Sequence, residues 1–141
     1  MSAKRMLLAV AALIGIAAAF AYGQLDVATG SIQFDLRSIG RSIYEARARS
    51  GKWPMRVEDL EDTEYLRMPY RKAALGERVF IIVWQDDLDL RPEANGDRVL
   101  AYDNRSVLTR FGIVWACRGD LRIERLSADE IAALKRGAIQ D

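Results

Sequence analysis

The chain has 141 residues, 50% hydrophobic and 29% charged, which is enough for one packed domain and a short additional segment. Lysine and arginine total 21 against 20 aspartate and glutamate, so the net charge is +1 and nucleic acid is disfavoured as a partner, because nucleic-acid binders usually carry a basic excess. The absence of histidine excludes Ser-His-Asp and Cys-His catalysis and histidine-containing zinc sites.

The N-terminal segment has the composition of a signal peptide or a membrane anchor. Lys4 and Arg5 precede an uncharged, largely apolar run at residues 6–22, and such a basic flank predicts that the chain after the run lies outside the cytoplasm. Small residues in Ala19-Phe20-Ala21 favour cleavage after Ala21, which would leave a periplasmic or secreted chain. Alternatively, the run stays in the inner membrane, since about 17 to 25 apolar residues span a bilayer. We therefore assign residues 1–23 to a signal peptide or transmembrane anchor. Residues 24–141 are assigned to an extracytoplasmic domain.

An amphipathic helix is predicted at residues 31–50. Its apolar positions recur at the 3.6-residue period on one face: Ile32, Leu36, Ile39, Ile43 and Ala46. Gly51 and Pro54 predict its end. Because only Gly23 and Gly30 interrupt the intervening sequence, this helix is expected to continue from the membrane segment as one long helix.

The remainder predicts short strands and a closing helix. A short helical turn or an ordered bend is expected at residues 57–60, and β-branched, aromatic or alternating residues predict strands at 79–84, 99–102, 112–117 and 121–126. Ser127 and Glu130 have the spacing of a capping box, which predicts the start of a helix. The expected fold is α+β: a long N-terminal helix packed on a small antiparallel sheet of three or four strands, with a C-terminal helix closing the domain.

Several local motifs accompany this predicted order of elements. They are Ser50-Gly51-Lys52-Trp53-Pro54 with Val57-Glu58-Asp59-Leu60 and Tyr65-Leu66, then Val99-Leu100-Ala101-Tyr102-Asp103, Phe111-Gly112-Ile113-Val114-Trp115 and Gly119-Asp120-Leu121. Together they resemble type IV pilins and the pseudopilins of type II secretion. The resemblance implies a pilin-like domain that acts through protein partners in the cell envelope, as an accessory or structural component of a secretion or pilus-like assembly.

The N-terminus departs from the prepilin pattern. A prepilin has a glycine just before an apolar stretch that carries glutamate at its fifth position. Here Arg5 precedes Met6, and no acidic residue lies in the apolar run. The resemblance therefore implies an anchored or secreted accessory protein rather than a filament subunit.

An acidic loop between the first two predicted strands is the candidate metal site. Calcium takes several oxygen ligands, which the loop carries at five positions: Asp86, Asp87, Asp89, Glu93 and Asp97. Some pseudopilins hold calcium in a loop beside the sheet, so the resemblance also implies this ion. The spacing does not match an EF-hand, and the alternative is a solvated loop whose acids pair with Arg91 and Arg98. No other cofactor is indicated.

Binding rather than catalysis is the expected role, and no residue is assigned as catalytic. The alternative is a free periplasmic binding or inhibitor-type module released by signal peptidase, and a small carboxylate-dependent hydrolase remains a third hypothesis, since it needs no histidine. Trp84 and Trp115 lie in apolar strands and are expected in the core, while Trp53 is expected to pack at the end of the long helix. The one cysteine, Cys117, cannot form an internal disulfide and is expected to be buried.

Overall fold

The structure, a computed structural model, describes residues 3–137 and has an α+β arrangement. The α-helices within those residues are α1 (Ala3–Ser50), α2 (Pro69–Gly76), α3 (Val107–Arg110) and α4 (Ala128–Gly137). The strands are β1 (Phe80–Ile82), β2 (Val99–Asp103), β3 (Trp115–Arg118) and β4 (Ile123–Arg125). Short 3₁₀ helices lie at Val57–Leu60, Tyr65–Arg67 and Pro92–Asn95. The predicted fold class is confirmed.

Helix α1 is continuous over 48 residues, as predicted from the scarcity of helix-breaking residues. Contacts divide the chain into two units, Met1–Ser31 and Ile32–Asp141. In the first unit, none of the described residues is buried. This division reflects packing within the fold and does not bear on where a signal peptide or anchor ends, so residues 1–23 remain the predicted extent of that segment.

The second unit is built around an antiparallel sheet with the strand order β1-β2-β3-β4. One face packs against α1, where Leu36 and Ile39 are completely buried together with Leu100 and Cys117. Burying a large aliphatic side chain contributes about 1.5 to 3 kcal/mol, so these contacts are a major part of the stability of the unit.

The other face of the sheet packs against α4. Tyr102 and Ala116 are buried on this face, and the partly buried Ile131 and Leu134 of α4 lie against them. Successive side chains of a strand point to opposite faces. In agreement with this, Phe80 and Ile82 belong to the α1 side, and the intervening Ile81 belongs to the α4 side.

Close approach of α1 to the sheet depends on Gly40. A Cβ atom at this position would lie 2.6 Å from Cys117 Sγ, closer than real Cβ contacts, and 3.0 Å from Leu121 Cδ2, which is tighter than most of them. The missing side chain therefore lets the helix backbone approach β3 and the β3–β4 turn. The β3–β4 turn is closed by a hydrogen bond from the amide of Leu121 to Arg118 O. Leu121 itself has a left-handed backbone conformation, with φ of 67°.

Two α-helices were absent from the sequence-based expectation, and three strands are shorter than expected: β1, β3 and β4. α2 and α3 lie in segments without a predicted element, and β3 begins at Trp115 rather than at Gly112. Gly112, with φ of 73°, ends α3 in a Schellman motif: its amide donates to Thr109 O, and the amide of Ile113 donates to Leu108 O. Because the amides of Gly112 and Ile113 are bonded to α3, these residues end the helix and do not begin the expected strand.

Candidate functional site

The five predicted calcium ligands lie in the segment between β1 and β2, and all five side chains are exposed: Asp86, Asp87, Asp89, Glu93 and Asp97. Among residues 3–137, no group of three or more histidine, cysteine, aspartate or glutamate side chains is placed to hold a metal ion. Calcium prefers six to eight oxygen ligands around one point. The described acids do not form such a group, and calcium binding stays a prediction.

Two of these acids pair with arginines of the same segment. Asp87 accepts a hydrogen bond from Arg98, whose Nε donates to Gln85 Oε1 at 2.6 Å. Asp89 Oδ1 accepts from the amide of Arg91 at 2.8 Å and from its Nε at 3.2 Å. These bonds from Arg91 hold the pKa of the Asp89 carboxyl below its usual value. These two ion pairs are the ones expected if the segment is a solvated loop whose acids pair with Arg91 and Arg98.

Neutral side chains attach the acidic loop to the rest of the unit. Asn95 is 4% exposed, and its Oδ1 accepts from the amide of Asp89 at 2.9 Å. Its Nδ2 donates to Asp89 O at 2.9 Å and to the hydroxyl of Tyr44, in α1, at 2.8 Å. Tyr44 in turn donates to Gly119 O at 2.6 Å. These hydrogen bonds join the loop to both α1 and the β3–β4 turn.

Gly119 is required where the acidic loop meets the β3–β4 turn. A Cβ atom at this position would lie 2.3 Å from both the Cβ and the carbonyl oxygen of Asn95. No larger residue fits unless the Asn95 backbone moves. The sequence identified Asn95 and Gly119 only as turn residues, and nothing local in the sequence indicated their contact with each other or with Tyr44.

A second polar cluster joins β3, β4 and α4. Arg118 is 7% exposed, and it donates to Glu124 Oε1 and Glu130 Oε1, each at 2.5 Å. Glu130 Oε2 also accepts from the amide of Ser127 at 2.9 Å, and Ser127 Oγ accepts from the amide of Glu130 at 3.2 Å. The predicted capping box is therefore confirmed, and the same glutamate neutralises a buried arginine. The arrangement is structural, since Arg118 has little contact with solvent.

The tryptophans pack against the core as expected, although Trp84 lies beyond the end of β1 rather than in a strand. Trp84 and Trp115 are partly buried against the core formed with α1. Trp53 makes an edge-to-face contact with Tyr44, with ring centroids 5.5 Å apart, and the Arg47 guanidinium lies 5.6 Å from the centre of its ring. Trp53 thus covers the last turns of α1, and the described tryptophans do not form a shared binding platform.

An apolar groove runs along the free edge of β1. It has a volume of about 610 Å³, and successive residues from Phe80 to Trp84 line it. Val57 and Leu75 flank it on the α1 side of the sheet, and Leu134 flanks it on the α4 side. The sequence did not predict this groove, because its walls come from elements far apart in the chain.

Comparison with protein-family models, with curated proteins and with solved structures finds no match to this chain. Function is therefore inferred from the chain itself. Its main features are an apolar N-terminal segment, an exposed acidic loop held by neutral side chains, and an apolar groove at a sheet edge. Exposed carboxylates and an apolar groove are suited to contacts with other molecules.

Proposed function

We propose that this protein is a non-enzymatic component of the cell envelope, anchored in the inner membrane through residues 6–22, with its α+β unit outside the cytoplasm. It acts by binding other proteins, as an accessory or structural part of a secretion or pilus-like assembly. The observation that carries the proposal is an 18-residue window of α1, near the N-terminus, with a mean hydropathy of 2.2 and no buried residue. By length and composition this helix can cross a membrane, and a signal sequence passes the same test.

Exposure of large apolar side chains in the first unit supports membrane insertion. Leu7, Ile16 and Phe20 are 73%, 67% and 69% exposed. Keeping apolar surface in water costs about 25 cal/mol per Å², so a helix of this kind needs a lipid or protein environment. Lys4 and Arg5 on its N-terminal side favour an orientation with the second unit outside the cytoplasm.

The described surface of the second unit favours binding over catalysis. The acids of the loop are exposed, and two of them pair with arginines, whereas catalytic carboxylates usually converge in a cleft. The groove along β1 is lined mainly by apolar residues. These features support a role through protein contacts, which agrees with the pilin-like resemblance.

The second candidate is a free periplasmic binding module, favoured by the small residues of Ala19-Phe20-Ala21. One experiment separates the two candidates: expression of the full chain in a bacterial host, followed by membrane fractionation and mass spectrometry of the N-terminus. The anchored protein is expected in the membrane fraction with its apolar segment intact. A soluble chain beginning at Tyr22 would overturn the anchor.

Matched variants sharpen this experiment. Ala21→Leu removes the small residue before the candidate cleavage point, and its distribution is expected to equal that of the native chain if the segment is an anchor. Leu13→Arg places a charge in the apolar run and is expected to reduce membrane retention. Release of the native chain, but not of the Ala21→Leu variant, would establish the periplasmic alternative.

A further inference from the structure

The free edge of β1 presents backbone groups that have no partner within residues 3–137. β1 is the first strand in the sheet order and pairs only with β2 among the described residues. Asn104 N donates to Val79 O and Val83 N donates to Leu100 O, each at 2.9 Å, and Ile81 lies opposite Tyr102. Hydrogen-bonded and non-bonded positions alternate along an antiparallel strand. The amides and carbonyls of Phe80 and Ile82 therefore point away from β2, toward the groove.

The groove gives access to both faces of the sheet at this edge. Val57 and Leu75 lie on its α1 side, and Ala133 and Leu134 of α4 lie on its other side. Side chains of a strand added beside β1 would alternate between these two walls. Because both walls are apolar, an entering segment needs apolar side chains at consecutive positions. An ordinary surface strand, with one apolar and one polar face, would place polar groups against one wall.

Arg78 gives one end of the groove a positive charge. It is exposed, it directly precedes the segment that includes β1, and it makes no ion pair within residues 3–137. It is the one charged residue among the described groove residues. Its backbone is held by hydrogen bonds, since its amide donates to Leu75 O at 3.1 Å and its carbonyl accepts from Asn104 Nδ2 at 3.0 Å. A carboxylate of an occupant is the complementary group at this end.

We infer that the free edge of β1 is the docking site for an extended segment of a partner protein, added to the sheet as a fifth strand. The segment is about five residues long, as the rise per residue of a strand requires for Phe80 to Trp84, with apolar side chains on both faces and a carboxylate beside Arg78. This inference rests on the proposed function, because it identifies the surface through which the protein binds its envelope partner and the chemistry of that partner.

The test selects displayed random peptides, long enough to cross the groove, on the purified full chain in detergent micelles. Selected peptides are expected to share consecutive apolar residues next to an acidic one. Their binding is measured by fluorescence anisotropy, and hydrogen exchange of the Phe80 and Ile82 amides is measured by NMR with and without peptide. The site predicts that both amides gain protection when a peptide binds.

Two matched pairs of variants control for folding. Ala133→Arg places a long charged side chain in the groove, whereas Ala132→Arg adds the same side chain to the neighbouring exposed position of α4, outside the groove lining. Arg78→Glu reverses the charge at the groove, whereas Arg125→Glu does so on β4, at the opposite edge of the sheet. The first member of each pair is expected to weaken peptide binding by about tenfold or more, and the second to leave it unchanged.

Each remaining outcome overturns the inference. Equal binding by Ala133→Arg and Ala132→Arg would place the peptides elsewhere, and failure to select any peptide with the expected pattern would remove the site. Protection of the two amides that rises with protein concentration, without peptide, would identify a second copy as the occupant. Failure of the anchor is seen separately, because a soluble chain beginning at Tyr22 can still bind peptide, and a membrane-bound chain can fail to bind it.

Discussion

The hydroxyl of Tyr44, in the middle of the packed part of α1, donates a 2.6 Å hydrogen bond to the carbonyl oxygen of Gly119, 75 positions later in the chain. The same hydroxyl oxygen accepts from Asn95 Nδ2 at 2.8 Å. One side chain of the helix therefore joins the acidic loop to the β3–β4 turn. Partial burial raises the pKa of Tyr44 above its usual value, which keeps the donating proton in place.

Removing this hydroxyl is expected to destabilise the protein. Tyr44→Phe leaves a partly buried carbonyl at Gly119 without its partner, which typically costs about 1 to 2 kcal/mol in the free energy of unfolding. Chemical denaturation measures this change. The control is Tyr70→Phe, because Tyr70 is 63% exposed and its hydroxyl makes no hydrogen bond within the described residues. Equal effects of the two changes would contradict the role of the Tyr44 bonds.

Gly40 is expected to tolerate no side chain without loss of stability. In Gly40→Ala the new Cβ would lie 2.6 Å from Cys117 Sγ, so α1 or the sheet must shift, at a cost of about 1 to 3 kcal/mol. Gly76→Ala is the matched control, since its Cβ meets no atom within 4 Å, and it is expected to be neutral or stabilising. Thermal and chemical denaturation measure both. The double variant with Cys117→Ala should recover part of the loss, and no recovery would contradict the proposed clash.

Stability at acid pH is expected to depend on Glu130. Hydrogen bonds from the Ser127 amide and from Arg118 lower the pKa of this carboxyl from 4.5 to about 2. A carboxyl whose pKa is lower in the folded state contributes stability above its unfolded pKa, and the contribution is lost as the pH falls through the folded pKa. Unfolding free energy should therefore decrease between pH 4.5 and pH 2.

The Glu130→Gln variant isolates this contribution. It removes the ionisable group, so its stability should be lower at neutral pH and should change less over the same acid interval. Asp129→Asn, at the neighbouring exposed position of α4, is the control and should retain the native pH dependence. Urea denaturation at several pH values gives both curves, and parallel curves for the native chain and Glu130→Gln would contradict the assignment.

Calcium removal is expected to leave the fold unchanged. The bonds described for the acidic loop come from Asn95, Tyr44 and its own arginines, so folding does not require an ion to collect the carboxylates. Thermal unfolding is compared with added calcium and with a chelator. A higher Tm with calcium, abolished in Asp87→Asn and retained in Asp62→Asn outside the loop, would instead support the calcium site.

Much of the fold could be predicted because its signals are local. The apolar period of Ile32, Leu36 and Ile39 predicts the buried face of α1, and the spacing of Ser127 and Glu130 predicts the start of α4. Helices α2 and α3 are short and carry weaker signals. Pro69 at the start of α2 is a favourable first helical residue, but the preceding Met68 makes no side-chain cap.

The contacts that define the surfaces could not be predicted, because they join distant positions. Asn95 reads in sequence as a turn former, and only the fold brings it to Tyr44, 51 positions away. The acidic residues are close in sequence, yet their side chains are exposed and form no common group, and two of them pair with nearby arginines. The groove likewise requires Val57, Leu75 and Leu134 to meet at one sheet edge, which sequence spacing alone does not reveal.

The buried thiol of Cys117, which lies against Gly40, can be used to measure local opening of the fold. Burial raises the pKa of Cys117 to about 12, and the side chain is 0% exposed in the folded unit. A maleimide reagent modifies thiolates, so it should react only when α1 separates from the sheet or the unit unfolds. The rate of modification then gives the free energy of that separation without any introduced label. In an oxidising compartment, the same packing shields the thiol from oxidants until the helix detaches.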